Sequence, residues 1–301
     1  MRDSEIFKGG NIVALITPFE YETNRIDINR LEKLIEFHIN KHTDGILILG
    51  TTGESPTLLD NEMKEMIYHS VRISNKRIPI IVGCGGNNTK NVIDRAIFCK
   101  SNDVDGLLIT VPNYNKPTQQ GILQHFSNIA NSVDLPIMMY NIPSRCGVNM
   151  ETETIIKIYN TCQNICAIKE ANGNLDSIIN LINKCNIRVY IGDDAALLPA
   201  LSIGCVGVVS VISNIFPDRI NDIIRLWHIG ESNSLVVCRQ KFFKIYNLIK
   251  ALFIETNPTP TKELMKHIHM LDNPHVRLPL VNMSNSNLTI LIQEYTDYIN
   301  N

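Results

Sequence analysis

The 301-residue sequence has no apolar run near the roughly 20 residues that a membrane-spanning helix needs, and no apolar signal core at its start. It also lacks a dense basic block: 28 Lys and Arg stand against 30 Asp and Glu, for a net charge of −2. No electrostatic footprint for nucleic acid is therefore visible. These absences predict a cytoplasmic protein with no nucleic-acid or membrane partner, and they favour small-molecule chemistry.

Metal-binding and disulfide patterns are absent as well. The eight cysteines include no Cys-x-x-Cys pair, which fits reduced thiols and indicates neither a zinc site nor a disulfide framework. His267 and His269 lie two residues apart, so on a helix they would point to different faces and would not form a ligand pair. We therefore expect no metal site.

What the sequence does contain is a repeated alternation of apolar strand-like runs and segments of helical period. The eight runs are Ile12–Ile16, Gly45–Leu49, Ile78–Val82, Gly106–Val111, Leu135–Tyr140, Ile165–Ile168, Ile187–Ile191 and Val206–Val211. Continuous apolar strands are buried on both faces, and helical crossovers between them make a sheet parallel. The pattern predicts an α/β fold, a (β/α)8 TIM barrel.

The alternative fold is an open doubly wound sheet, but its glycine fingerprint is missing because Ile16 is followed by Thr-Pro-Phe-Glu. Further helical segments follow the eighth helix, and they predict an appended C-terminal α-helical domain. We predict the barrel over residues 1–230 and the helical domain over residues 231–301.

Lys169 is the candidate nucleophile, because it stands at the end of a predicted buried strand. Burying an ammonium is costly, so such a lysine needs an explanation. The ordinary one is a snorkelling lysine whose charge reaches water. The alternative is a lysine whose pKa burial has lowered, so that its neutral amine attacks a carbonyl carbon to form an imine.

Active sites of such barrels lie at the carboxyl ends of the strands, which predicts that several further residues share one mouth with Lys169. Tyr140 ends the fifth strand and could carry protons, although an ordinary core tyrosine is the alternative. The turn Gly50–Gly53 offers hydroxyls and backbone N–H groups for a small carboxylate, or is simply a turn. The guanidinium group of Arg145 offers paired N–H donors for a second carboxylate; the alternative is that Arg145 is a solvated surface residue.

The seventh strand ends in Gly192-Asp193-Asp194. Many barrels bind phosphate at this position, but two carboxylates would repel a phosphate, so a helix cap is the milder explanation. A phosphorylated substrate is therefore disfavoured.

Four motifs resemble the dihydrodipicolinate synthase family of the pyruvate-dependent class I aldolases, and the resemblance covers nearly the whole chain. They are Gly50–Ser55, Pro112–Gly121, Tyr140–Gly147 and Ile168–Leu175. The resemblance implies condensation of pyruvate with L-aspartate 4-semialdehyde to 4-hydroxy-tetrahydrodipicolinate, in the diaminopimelate route to L-lysine. No cofactor is expected, because the imine itself is the electron sink.

The resemblance also implies roles for individual residues. Lys169 would form the Schiff base, with Tyr140 as the central acid and base. Thr51 would relay protons together with Tyr114 from a neighbouring subunit, which implies a homo-oligomer, usually a tetramer built as a dimer of dimers. The implied substrate-binding residues are Thr52 for the pyruvate carboxylate, Arg145 for the semialdehyde carboxylate, and Gly192 and Val209 for the wall behind the lysine.

Some positions depart from the family pattern. Cys146 and Asn172 stand where threonine is common, outside the reacting atoms. Asp60, Asn91 and Asn113 stand where lysine-inhibited members tend to carry histidine, glutamate and a second tyrosine, so we expect weak feedback by L-lysine.

Two other functions stay open at this point. The same lysine chemistry could serve a sugar-derived aldehyde, as in N-acetylneuraminate lyase or 2-keto-3-deoxy sugar acid aldolases, because a shared fold does not fix the substrate. A non-catalytic binding barrel is the alternative of another class, and it would predict a degraded site.

Overall fold

The computed structural model describes residues 5–300 and shows eight strands that form a closed barrel in the order of the chain. The strands are β1 (Gly10–Ala14), β2 (Gly45–Ile48), β3 (Ile80–Gly83), β4 (Gly106–Thr110), β5 (Ile137–Asn141), β6 (Ile165–Glu170), β7 (Arg188–Ile191) and β8 (Gly207–Ser210). The strand pairs are parallel, for example β5 with β6 and β6 with β7. The predicted (β/α)8 barrel is confirmed, with every strand within two residues of its predicted position.

Twelve α-helices accompany the strands within the described residues. They are α1 (Ile28–Asn40), α2 (Asp60–Ser74), α3 (Thr89–Ser101), α4 (Gln119–Ser132), α5 (Pro143–Cys146), α6 (Thr152–Thr161), α7 (Leu175–Lys184), α8 (Leu197–Ser202), α9 (Pro217–Ile229), α10 (Ser232–Ala251), α11 (Thr259–His267) and α12 (Asn285–Asn300). None of the helices between residues 5 and 300 has the length and apolar character needed to cross a bilayer.

Side-chain caps explain where several of these helices begin. Asp27 accepts a hydrogen bond from the backbone N–H of Arg30 at 2.8 Å and so caps the start of α1. Asn174 caps α7 in the same way through the N–H of Ser177, at 3.1 Å. Each such cap satisfies a backbone donor that the first helical turn leaves open, and is worth about 1 kcal/mol.

The chain divides into two compact units. One combines the described residues up to Gly10 with Pro79–Val209, and it holds β3 to β7, most of β8, and α3 to α8. The other combines Asn11–Ile78 with the described residues from Ser210 onward, and it holds β2, α1, α2 and α9 to α12. The predicted boundary between a barrel and a helical domain at residue 230 stays a prediction.

Candidate active site

Lys169 is the fifth residue of β6, a strand in which all six residues are buried. Only 6% of the residue is exposed, so it is not a snorkelling lysine whose ammonium reaches water. Among residues 5–300, no hydrogen-bond or ion-pair partner is found for its Nζ atom. The strand therefore holds an amine in the protein interior without a carboxylate in contact to keep it charged.

Desolvation is the largest influence on the charge of this lysine. Burial lowers the pKa of Lys169 from 10.5 to about 8, the charge of Asp194 opposes this shift, and the charge of Arg145 adds to it. At pH 7.5 an amine with that pKa is neutral in about a quarter of the molecules, against about one in a thousand for an ordinary lysine. The lowered pKa that the sequence predicted is therefore present, and it supplies a nucleophilic amine near neutral pH.

Tyr140 lies directly opposite Lys169 in the register between β5 and β6. The centroid of its ring is 4.4 Å from Nζ of Lys169, and the residue is 5% exposed. Side chains alternate between the two faces of a strand, so paired residues on adjacent strands share a face. The sheet thus brings a buried phenol and a buried amine together, as proton transfer during imine chemistry requires.

Arg145 lies on α5, the single helical turn that follows β5. Its side chain is exposed, yet its positive charge reaches Lys169 and lowers the pKa of that amine. Two features fix the turn: the thiol of Cys146 donates to the carbonyl of Val111 at 3.2 Å, and Gly147 ends the helix with a φ of +73°. The structure therefore brings Arg145 into electrostatic range of the lysine, as a solvated cation.

Gly192 follows β7 and lies against the stem of Lys169. A Cβ atom added at Gly192 would be 2.8 Å from Cε of Lys169 and 2.9 Å from Cβ of Ala171, closer than carbon atoms approach. The N–H of Gly192 donates to the carbonyl of Glu170 at 2.8 Å, which fixes this close approach. Only glycine allows the backbone to pack here. Val209, the other predicted wall residue, lies in β8 and is 1% exposed.

Thr51 and Thr52 belong to the other compact unit, where they follow β2. Thr52 is buried, and its Oγ1 accepts a hydrogen bond from Nδ2 of Asn257 at 2.9 Å, which leaves the hydroxyl hydrogen to donate elsewhere. Thr51 is half-buried, and its carbonyl accepts from the N–H of Glu54 at 3.0 Å. The carbonyl of Gly53 accepts from the hydroxyl of Thr17 at 2.7 Å. The turn is therefore held from several sides.

The same unit contains the second buried lysine of the described chain. Nζ of Lys262 donates to Oε1 of Glu54 at 2.5 Å and to the carbonyl of His275 at 2.8 Å. The other carboxylate oxygen of Glu54 accepts from the N–H of Arg277 at 3.0 Å. Burial lowers the pKa of Lys262 to about 8 as well, but the carboxylate of Glu54 opposes that shift through direct contact. Lys262 is thus part of a buried ion pair, whereas Lys169 is not.

Tyr114, predicted to act in a neighbouring subunit, lies in the loop between β4 and α4. Its side chain is 86% exposed and its φ is +68°, in the left-handed region that tyrosine seldom occupies. The loop therefore projects a large aromatic ring into solvent. The structure does not bring this ring together with Lys169 and Tyr140 of the same chain.

Asp194 is a residue whose influence the sequence analysis missed. The predicted cap is present, because Oδ1 of Asp193 accepts from the N–H of Ala195 at 3.0 Å. Asp194, in contrast, is 1% exposed, and its charge acts on Lys169. Two adjacent carboxylates at a strand end could have suggested a second role, but the sequence does not show which one is buried.

A further missed feature lies one residue beyond Lys169. Burial raises the pKa of Glu170 to about 7, although hydrogen bonds from Asn141 and from the N–H groups of Asn172 and Ala171 oppose the shift.

Metal binding is a separate question. Within residues 5–300 no cluster of three or more His, Cys, Asp or Glu side chains could hold a metal ion.

Comparisons with known proteins agree with the fold. A family model described as the dihydrodipicolinate synthetase family matches residues 8–295. The 4-hydroxy-tetrahydrodipicolinate synthase of Clostridium tetani is 44% identical over 295 residues, which cover 97% of this chain and 98% of that protein.

Solved structures of dihydrodipicolinate synthases are similar to this chain over nearly its whole length. The crystal structure of dihydrodipicolinate synthase from Aquifex aeolicus has a TM-score of 0.93 and 40% identity, covering 97% of this chain and 98% of that one. The chloride-inhibited dihydrodipicolinate synthase from Acinetobacter baumannii, solved in complex with pyruvate, has a TM-score of 0.91 and 35% identity, covering 97% and 99% of the two chains.

Proposed function

The chain belongs to the dihydrodipicolinate synthetase family, and on that premise we propose that it condenses pyruvate with L-aspartate 4-semialdehyde through an imine on Lys169. The observation that carries the proposal is a buried amine, its pKa lowered to about 8, with Nζ 4.4 Å from the centroid of the Tyr140 ring. An amine of this kind attacks a ketone, and the phenol beside it can carry the protons that the attack displaces.

The chemistry then proceeds in balanced steps. Neutral Nζ of Lys169 attacks the ketone carbon of pyruvate, the carbonyl oxygen takes a proton, and loss of water leaves the imine. Removal of a proton from the methyl carbon gives an enamine, whose carbon forms the new carbon–carbon bond with the aldehyde. The amino group of the semialdehyde then displaces the lysine as the ring closes. Tyr140 carries protons in each step, so its phenol must stay close to Nζ.

Binding roles for the other residues follow from their chemistry and from the family. Arg145 supplies a fork of N–H donors for the carboxylate of the semialdehyde, which its place on an exposed turn supports. Gly192 keeps the stem of Lys169 in place because no larger residue fits against it. The roles of Thr51 as proton relay, Thr52 as carboxylate donor and Val209 as wall stay predictions.

Assembly is part of this proposal. The 86% exposure of Tyr114 supports a role in a neighbouring subunit, because a single chain leaves this large ring in water. We expect at least a dimer, and a tetramer built as a dimer of dimers. A cytoplasmic location stays a prediction, and it fits the eight free cysteines, all buried.

The first experiment measures the initial rate with pyruvate and L-aspartate 4-semialdehyde, and separately with pyruvate and N-acetylmannosamine. We expect turnover with the semialdehyde alone, lost in Lys169→Met. Turnover with the sugar would transfer the same chemistry to a sugar-derived aldehyde and overturn the proposed substrate.

Borohydride reduction with pyruvate tests the imine itself. The proposal predicts a stable adduct on the peptide that carries Lys169 and none on the peptide that carries Lys262, whose amine is held by Glu54. A barrel that only binds ligands would give no adduct on either peptide.

A further inference from the structure

One residue beyond Tyr140 and Lys169, a second pair of side chains lies on the opposite face of the sheet. Asn141 ends β5 and Glu170 ends β6, and the two residues are opposite each other in the strand register. Neither has been given a role above. Asn141 is 0% exposed and Glu170 2% exposed, so both polar groups are in the interior.

The two side chains hydrogen-bond to each other across the strands. Nδ2 of Asn141 donates to Oε1 of Glu170 at 3.0 Å and to Oε2 at 3.2 Å. The backbone repeats the link, because the N–H of Ala171 donates to the carbonyl of Asn141 at 2.9 Å. A buried carboxyl is costly unless it is hydrogen-bonded, so this pair holds the two strand ends together.

Asn141 also binds the end of the segment that carries Arg145. Its Oδ1 accepts from the N–H of Met150 at 3.0 Å, and its Nδ2 is 2.9 Å from Oδ1 of Asn149. The segment that runs from Asn141 through α5 to Met150 is therefore closed by hydrogen bonds between its two ends. Closing the ends restricts the position of Arg145, which lies in the middle of the segment.

Glu170 makes the corresponding connection on the other side. Its Oε1 accepts from the N–H of Asn172 at 3.1 Å. Nδ2 of Asn172 donates to Oγ of Ser177 at 2.7 Å, in the first turn of α7. Burial raises the pKa of the Cys205 thiol to about 12, and the charge of Glu170 adds to this shift. The cluster thus joins the end of β5, the Arg145 segment, the end of β6 and the start of α7.

We propose that Asn141 and Glu170 are positioning residues, which fix Lys169 and Tyr140 relative to each other through the strand ends they share. The inference rests on the proposed function, because it assigns a role in the same imine chemistry. A hydrogen bond at the next residue of each strand limits how far the two reacting side chains can move apart. Misplacement of reacting groups by about 1 Å can lower a rate by a factor of about 100.

The test exchanges donor and acceptor between the two residues. In Glu170→Gln an NH2 group would replace one of the two oxygens to which Asn141 donates, and in Asn141→Asp two carboxyl groups would face each other. The double exchange restores one donor opposite one acceptor: Gln at 170 donates to Asp at 141, its oxygen still accepts from Asn172, and Asp at 141 still accepts from Met150. The number of ionisable carboxyl groups in the cluster is unchanged.

The readouts are the rate of imine trapping at saturating pyruvate, the KM for pyruvate and the thermal midpoint. We expect each single variant to lose tenfold or more in trapping rate per folded molecule with little change in KM, and the double exchange to recover most of that loss. Glu170→Asp replaces a single exchange that does not fold. It keeps the carboxyl group but moves it back by one methylene, so it should show the same loss in trapping rate.

Asn164 provides the matched control, because it is a buried amide just before the other end of β6. Its Nδ2 donates to the carbonyls of Ala130 at 3.0 Å and Val133 at 2.9 Å. We expect Asn164→Asp to lower the thermal midpoint but to leave the trapping rate of the folded protein intact.

Two outcomes would overturn the positioning role: single variants with a normal trapping rate, or a double exchange no better than the product of the single effects. A wild-type protein that traps no pyruvate would instead refute the proposed function, and this inference with it.

Discussion

Replacing Lys169 with methionine should make the protein more stable while it abolishes imine formation. The side chain is buried without a carboxylate in contact, so at neutral pH the folded state must either hold an unpaired ammonium or give up its proton. Methionine fills a similar volume and needs no hydrogen-bond partner. A gain in stability on removal of a reactive group is what a strained functional site predicts.

The size of the effect follows from the pKa of Lys169, which is about 8 in the folded protein and 10.5 for an ordinary lysine. This difference corresponds to about 3 kcal/mol of lost stability at pH 7. The folded pKa is the lower one, so the unfolded chain binds more protons between the two values and stability rises with pH there. The loss is complete well below pH 8 and fades toward pH 10.5, with about 1 kcal/mol left at pH 9.5.

Lys262 provides the contrast, because its pKa is also about 8 but its ammonium contacts Glu54 at 2.5 Å. In Lys262→Met the buried carboxylate of Glu54 keeps, within residues 5–300, the N–H of Arg277 as its one remaining donor. Removing one partner of a buried ion pair typically costs about 3 to 5 kcal/mol. Two lysines of similar burial should therefore respond to the same substitution with opposite signs.

The assay is urea unfolding of the wild type and both variants at pH 7 and pH 9.5, at one protein concentration so that assembly contributes equally. We expect Lys169→Met to exceed the wild type at pH 7 by an amount that shrinks by about 2 kcal/mol at pH 9.5, and Lys262→Met to fall below the wild type at both values. A stability difference for Lys169→Met that does not change with pH would refute the reasoning.

Four further predictions concern the site. Asp194→Asn removes the charge that raises the pKa of Lys169, so the pH of half-maximal imine trapping should fall, whereas Asp193→Asn, which keeps the cap, should not move it. Gly192→Ala should slow trapping by about tenfold or more, because its Cβ would displace the Lys169 stem; an unchanged rate would contradict the packing. Tyr140→Phe keeps the ring and loses the phenol, so trapping should slow by about 100-fold at an unchanged pH midpoint, as pH–rate profiles can show. Titration with L-lysine should give little inhibition, and strong inhibition would disprove the argument from Asp60, Asn91 and Asn113.

The sequence could predict the barrel because its strands are short apolar runs with helical segments between them. That pattern arises because each strand is buried on both faces. Such burial leaves a continuous apolar run in the local sequence, so it can be recognised without knowing which strands pair. The ends of the strands then followed by rule, and with them the placement of Lys169 and Tyr140 on neighbouring strands. Even the cap at Asp27 is a local feature, since donor and acceptor are three residues apart.

What the sequence could not predict is which polar groups meet across long separations. Glu54 and Lys262 are 208 residues apart, and Thr52 and Asn257 are 205 apart. Neither pairing follows a spacing rule, because no local sequence pattern links residues so far apart. Asn141 and Glu170 were adjacent to predicted site residues, yet their bond depends on the register between β5 and β6, which only the folded sheet fixes.

The two buried lysines show that burial alone does not make a nucleophile. Burial lowers both pKa values to about 8, but Nζ of Lys262 donates to the carboxylate of Glu54 and to the carbonyl of His275, so that nitrogen is held in hydrogen bonds. At Lys169 the charge of Asp194 raises the pKa of the amine and the charge of Arg145 lowers it. The nitrogen lone pair is therefore available to a carbonyl carbon in the neutral fraction of the amine, while the charge of Asp194 favours the protonated fraction, so the amine can both attack and exchange protons. Moving a carboxylate into contact with Nζ would raise the pKa of Lys169 and should lower turnover at neutral pH, whereas removing Asp194 would lower that pKa and increase the share of neutral amine.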